Sequence, residues 1–401
     1  MAQKFTETEW ETILAATKRS GKQYGLPARR QKSVVLGTFN IRKLGKIANK
    51  SAGAWEFLKL ICQRYDLLAI QEVQDNLDGM RHLKELVGNR YEMVVSDTTG
   101  NYPGEGTSPE RLVFLYYRSR VKRGEVASDI TYDRSKVVST LYTHRKRFQA
   151  AFQEYNLNLQ EWEIETAERK AEGKRAKQKP AVRLPEFVTF IRQPHCVAFE
   201  VSNKHTLAPY RFLAVNAHLL YGRYKEQRML EFLAIISWLI DRAKKSKNLY
   251  YPNILFMGDC NLDFQDPEKQ RPIIEAFLKT RNQVEGLEAS KAAAELNFPF
   301  LDVHPNQEEV FRTAARLKDT YDQIALLFRD SRLPDYRQNE TAGQEPDAYD
   351  YGVFNFVELF ANTLHGVSFN SMSKKDKQDF VRRFEHDLTD HLPVWIRLPM
   401  P

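Results

Sequence analysis

The side chains with which this chain could do chemistry stand at the ends of short apolar runs. Asn40 closes VVLGTFN, and Glu72 follows LLAIQ. Asn216 and His218 close FLAVNAH, two residues apart and so on one face of a strand. Asp259 and Asn261 follow the apolar ILFMG, Asp322 opens DQIALL, and Asp390 and His391 lead straight into LPVWIRL. Hydrolysis of a phosphodiester asks for such groups. Charge on the transition state must be neutralised, a water activated and the leaving oxygen stabilised. Glu72 and Asp390 are hard-oxygen ligands of the kind Mg2+ takes, one or two carboxylates with several waters retained. His391 has the pKa range of a general base, and Asp322 is the acceptor that would orient its other nitrogen. Asp259 and Asn261 could share one substrate or metal, or form an Asx turn. Asn40 could equally be a turn former, and Glu72 a helix-start acid. No Walker, dinucleotide-binding, zincin or nucleophile-elbow motif competes with this set.

The elements that must position these residues are legible as apolar patterns. SVVLGTF, LLAI, YEMVVS, RLVFLYY, FVTFI, CVAFEV, FLAVNAHL, NILFMG, YDQIALLF and PVWIRL read as strands. Helical stretches are expected at about 51–64, 76–88, 223–245 and 268–282. Strands interleaved with helices and with hairpin-like pairs predict an α+β chain of two packed sheets flanked by helices. Residues 1–30 read as a helical extension and tether, with Thr6 and Glu9 spaced as a capping box, ahead of a main domain at 31–401. A basic helical insert is expected at about 134–180, where Leu141, Phe148, Phe152, Tyr155 and Leu159 recur at helical spacing. Its Lys174, Arg175, Lys177 and Lys179 are either a solvated face or an arm over a nucleic-acid groove.

Bulk composition narrows the setting. The 401 residues carry 60 basic against 52 acidic side chains, a net charge of +8 that favours a polyanionic partner. No run reaches the ~18 apolar residues a membrane span needs, and the first residues do not read as a secretory signal. A cytoplasmic monomer without membrane contact is the expectation. Cys62, Cys196 and Cys260 are an odd, widely spaced set, read as small buried side chains and not as disulfides or a zinc cluster.

Taken in order, FNIR, IQEV, NAH, GDCN, YDQI and TDHLP resemble the motifs of the endonuclease/exonuclease/phosphatase superfamily over most of residues 33–398. YEMVVSDTTGNYPGEGTSPERLVFLYY and FIRQPHCVAF resemble segments of its deoxyribonuclease I branch. The resemblance implies a four-layer α/β/β/α sandwich of two mixed sheets and a Mg2+-dependent hydrolase, with Mn2+ able to substitute. It implies that Asn40, Glu72 and Asp390 hold the metal, and that His391 with Asp322 is the general base. His218 with Glu110 would be the general acid, and Asp259 and Asn261 would bind phosphate or metal and orient the water. Arg111 and Arg192 would support the phosphate or brace the site, with Asn216 alongside as a substrate contact. Four positions depart from the branch: Gln74 stands where an arginine enters the DNA minor groove, Ser108 near a sugar-stacking tyrosine, Gln323 after Asp322, and Cys260 for a bulkier residue. The expected activity is a nuclease on DNA. The alternatives are hydrolysis of RNA or a small phosphate ester, or an inactive scaffold, and residues 1–30 could contact a protein partner.

Overall fold

A computed structural model describes residues 4–100, 109–202, 208–222, 224–244, 251, 253–262, 272, 276 and 297–401. The first sheet contains β1 (Ser33–Leu44), β2 (Leu67–Gln74), β3 (Tyr91–Val95), β4 (Glu110–Tyr117), β10 (Asp350–Val353) and β11 (Val394–Pro399). Their order is β10-β11-β1-β2-β4-β3, with β1 and β2 parallel and the other pairs antiparallel. The second sheet contains β5 (Val121–Asp129), β6 (His195–Val201), β7 (Tyr210–His218), β8 (Asn253–Asp259) and β9 (Asp322–Leu327), in that order. Among the described strands, only β7 and β8 are parallel there. Each parallel pair needs a crossover. α2 (Ala52–Cys62) supplies it between β1 and β2, and α6 (Lys225–Lys244) between β7 and β8.

Four layers result, the α/β/β/α sandwich that was expected. α1 (Glu7–Ser20), α2, α3 (Asp78–Val87), α7 (Phe356–His365) and α8 (Lys374–Asp387) join one apolar core with the first sheet. Phe232, Ile235, Ile236 and Leu239 of α6 form a second core against Val215, Ala217, Ile254 and Phe256. Among the described residues, no helix is long and apolar enough to cross a membrane. The three cysteines are free and buried.

Several elements differ from the sequence expectation. Residues 187–191 form no strand: Pro185 and Pro194 bracket them, and a proline has no N–H for a ladder. Their aromatic rings pack instead, Phe187 against Tyr132 at 4.8 Å and against Phe190 at 5.0 Å. β5 is an edge strand with one buried residue, Val121, so it lacks the alternation that marks half-buried strands. β10, α7 and α8 were also not anticipated. Of the helix expected at 268–282 only positions 272 and 276 are described, both helical, and Ser108 lies outside the described residues. The insert is two helices, α4 (Arg134–Thr143) and α5 (Arg145–Ala171), with only Phe148 and Thr166 of α5 buried.

Thr6 and Glu9 do form a capping box at the start of α1. That helix is built into the fold: Phe5 and Trp10 meet Phe57, Phe360, Phe380 and Phe384 in edge-on and tilted aromatic contacts. Gly53 of α2 lies so close to the Trp10 ring that a β-carbon there would stand 2.1 Å from Cγ.

Between the sheets, three polar side chains interlock. Asn216 Nδ2 donates to Ile70 O at 3.2 Å and Val113 O at 3.0 Å, and its Oδ1 accepts from Gln71 Nε2 at 2.6 Å. Gln71 also bonds Thr38 Oγ1. All three are fully buried. Asn216→Ala should therefore deprive two carbonyls of the Asn216 donor and one Gln71 N–H of its acceptor, and cost about 2–4 kcal/mol in urea unfolding; a destabilisation under ~1 kcal/mol would contradict this role.

Candidate active site

β1, β2, β7 and β8 end at the same edge of the sandwich, which brings together side chains far apart in sequence. Asn40 Nδ2 donates to Asp259 Oδ2 at 3.0 Å and to Glu72 Oε1 at 3.2 Å. The same Asp259 oxygen lies 3.6 Å from His218 Nε2 and 3.5 Å from His391 Nε2. Behind each ring stands its own acid. His218 Nδ1 faces Glu110 Oε1 at 2.5 Å, and His391 Nδ1 faces Asp322 Oδ2 at 2.9 Å. A carboxylate only accepts, so the Nδ1 of His391 carries a proton and its Nε2 faces the site.

Backbone irregularities aim these groups. The β2–β4 register shifts between Ile70 and Val73, a bulge that turns Glu72 out of the ladder. Glu72 has φ of 58° and Asn261 of 51°, left-handed values that a side chain makes costly and that tend to mark functional sites. Lys43 N donates to Glu72 Oε2, and Asn261 N to Asp259 Oδ1. Asn261 Nδ2 is held by Leu219 O, and Arg228 donates to the Asn261 carbonyl.

Two oxygens at this edge suit a cation. Asn40 Oδ1 and Asp390 Oδ1 are buried and have no hydrogen-bond partner among the described residues, and Glu72 Oε1 accepts from the Asn40 amide. Amide and carboxylate oxygens of this kind fit a hard divalent ion such as Mg2+. Donor atoms of Asp259, Asp322 and His391 also lie within 4.8 Å of one another. There, however, the His391 Nδ1 is already engaged by Asp322, which makes that trio a histidine–acid pair facing Asp259.

Other expected residues fall in supporting places. Arg192 lies in the turn before β6, not on a strand, and pairs with Glu110 while donating to Leu219 O. Arg111 donates to Ser96 O and Asp75 Oδ1, each at 2.8 Å. Both arginines brace the walls. Asn216 spends its amide between the sheets, so the expectation that it contacts substrate is corrected. In the insert, Lys174 pairs with Glu172, Lys177 with Glu165, and Lys179 lies over the Trp162 ring, while the Arg175 carbonyl accepts from Arg169.

Sequence reasoning missed Thr389, whose Oγ1 donates to Asn40 O at 2.7 Å and receives Arg42 N and His391 N at 3.3 Å each. It also missed buried Lys50. A hydroxyl beside the Asp390–His391 pair was the one available signal for the first. A single lysine before a helix gave none for the second.

Burial and charge set the protonation pattern. Burial pushes Glu110 up to about 7 from an ordinary 4.5, against the charge of Arg192. Burial and then Arg192 pull His218 down to about 4, with Asp259 opposing. At His391 burial also acts downward, but Asp322 and Asp259 outweigh it and hold the ring well above its ordinary value. An acid with a raised folded-state pKa contributes less stability as pH rises from 4.5 through about 7. Relative to Glu110→Gln, the wild type should lose roughly 1–3 kcal/mol across that window in urea unfolding. A flat difference would contradict burial as the dominant influence on Glu110.

The architecture is two packed mixed sheets flanked by helices. No family model and no curated protein matches the sequence. Among the solved structures to which the chain is similar are endonuclease/exonuclease/phosphatase proteins. The human Nocturnin catalytic domain with bound sulfate is 12% identical, with 92% of this chain and 94% of that one covered and a TM-score of 0.44. A family protein from Bacteroides thetaiotaomicron is 12% identical, with 93% and 100% covered and a TM-score of 0.41. A mannosyl-6-phosphatase from the same organism is 11% identical, with 91% and 98% covered and a TM-score of 0.42.

Proposed function

We propose that this chain is a divalent-metal-dependent phosphodiesterase, and that its substrate is DNA. The observation that carries the reading is the convergence of two histidines, each backed by its own buried acid, on one oxygen of Asp259. Mg2+, or Mn2+ in its place, held by Asn40, Glu72 and Asp390, would neutralise charge developing on the phosphoryl oxygens. His391, oriented by Asp322, accepts the proton of the attacking water, and Asp259 fixes that water in line; the raised value of His391 belongs to the free site, and the positive charge of a bound cation would oppose it and free Nε2. On the other flank His218, backed by Glu110, delivers a proton to the leaving oxygen. Its depressed value belongs to the free site; a phosphate anion beside Nε2 supplies the negative charge that draws a proton onto the ring.

DNA is favoured by the net charge of +8 and by exposed Lys43, whose backbone N–H bonds Glu72 at the site edge. A second reading, a smaller phosphate ester or RNA, is favoured by Gln74 at the rim and by the internal pairing of Lys174 and Lys177 with acids. The protein is read as a monomer of the cytoplasm; an inactive scaffold is disfavoured because both histidines and every acid of the set are in place.

The direct test incubates the protein with supercoiled plasmid and Mg2+ or Mn2+, with and without chelator. Nicking should require the metal, and His391→Ala should lower its rate ~10²–10⁴-fold. Absence of nicking with turnover of RNA or bis(p-nitrophenyl) phosphate would overturn the DNA assignment. Replacing Lys174, Arg175, Lys177 and Lys179 by Gln should flatten the log–log salt dependence of DNA binding by ~0.9 for each phosphate that is no longer neutralised. An unchanged slope would make the insert a solvated face.

A further inference from the structure

The segment that carries Asp390 and His391 is held from behind by a buried polar chain that begins in α1. Trp10 Nε1 donates to Asp387 Oδ2 at 3.0 Å across 377 residues of sequence. Asp387 ends α8 and is fully buried. Its carboxylate also accepts Ser51 N at 2.8 Å and Ser51 Oγ at 2.9 Å. Ser51 is the N-cap of α2, so this one carboxylate joins the starts or ends of three helices. Beside it, the ammonium of Lys50 donates to Leu388 O at 2.5 Å and to Arg42 O at 3.2 Å. Leu388 immediately precedes Thr389, Asp390 and His391, and Arg42 lies two residues beyond Asn40.

These contacts have a direction. Lys50 ties the strand that presents Asn40 to the segment that presents Asp390, and Thr389 joins the same two pieces by its hydroxyl. Asp387 and Ser51 fix where Lys50 stands, and Trp10 fixes Asp387. A lysine left nearly without solvent, spending its donors on two backbone carbonyls, is a costly way to hold a loop unless the loop's position matters. The cost is consistent with a role in setting the distance between Asn40 and Asp390.

We propose that α1 is a positioning element of the active site, acting through Trp10, Asp387, Ser51 and Lys50 to set the separation of the cation-binding oxygens of Asn40 and Asp390. The inference rests on the reading of those oxygens as a cation site, and Trp10 and Lys50 touch neither substrate nor cation.

The experiment compares Trp10→Phe and Lys50→Met with Glu9→Gln in the full chain. Glu9→Gln removes the charge from a second polar anchor of α1, its ion pair with Arg383, and leaves the chain to Lys50 intact. Mn2+ affinity is measured by titration without substrate, alongside melting temperature and hydrolysis of bis(p-nitrophenyl) phosphate. Trp10→Phe and Lys50→Met should each weaken Mn2+ binding ~10-fold or more and lower kcat with little change in KM, the size typical when outer-sphere support is removed. Glu9→Gln should lower the melting temperature and leave Mn2+ affinity at the wild-type value. Equal weakening of affinity in Glu9→Gln would reduce the effect to stability and overturn the proposal. So would wild-type affinity in both other variants, or no Mn2+ binding by the wild type. If one of those two variants fails to fold, the other decides. Wild type that binds Mn2+ and hydrolyses no phosphate ester would defeat the proposed function alone, and the Mn2+ titrations would still decide the role of α1.

Discussion

The buried carboxylate of Asp259 is the constraint around which the rest of the molecule is arranged. It is 1% exposed, so water cannot solvate its charge and neighbouring groups must. Asn40 comes from the first sheet; the Asn261 amide, His218 and His391 come from strands and turns around the second sheet and its boundary with β11. The charge is therefore satisfied only when both sheets hold one register. Because side chains alternate faces along a strand, a slip of one residue would turn Asn40 or His218 away from it. Asn216, Gln71 and Thr38 lock that register from within the sandwich.

The same constraint explains where the structure departs from ideal geometry. Glu72 leaves its ladder at a bulge, and both Glu72 and Asn261 take left-handed backbone angles. Each irregularity turns a polar group toward the Asp259 edge, and each is supported by hydrogen bonds to its neighbours. The N-terminal helix belongs to this support. Its aromatic side joins the core, and its one buried indole N–H reaches the carboxylate that ends α8.

Much of this was legible in sequence because strand ends are marked twice, by an apolar run and by the polar residue that stops it. Asn40, His218 and Asp259 were each visible in that way, and Asp322 and His391 as polar residues that open a run. Glu110 and Arg192 also flank expected strands, just before RLVFLYY and just after FVTFI, but nothing local set them apart from other charged flanks; only the resemblance singled them out. Asn216 was misread because a polar residue two places from a histidine shares its face in either role. The sequence does not say whether that face meets solvent or another sheet. Lys50, Asp387 and Trp10 act through contacts between residues hundreds of positions apart, and no local pattern encodes those. β5 and residues 187–191 were misjudged for the converse reason: an edge strand can be polar, and aromatic residues can pack without a ladder.

On the proposed reading the site divides into a cation pocket and two histidine–acid pairs, and anomalous diffraction from crystals soaked in Mn2+ tests that division most directly. One peak is expected, bounded by Asn40 Oδ1, Glu72 and Asp390, with His391 still on Asp322 and His218 still on Glu110. A peak bound instead by Asp259, Asp322 and His391, with the His391 pair broken, would contradict it.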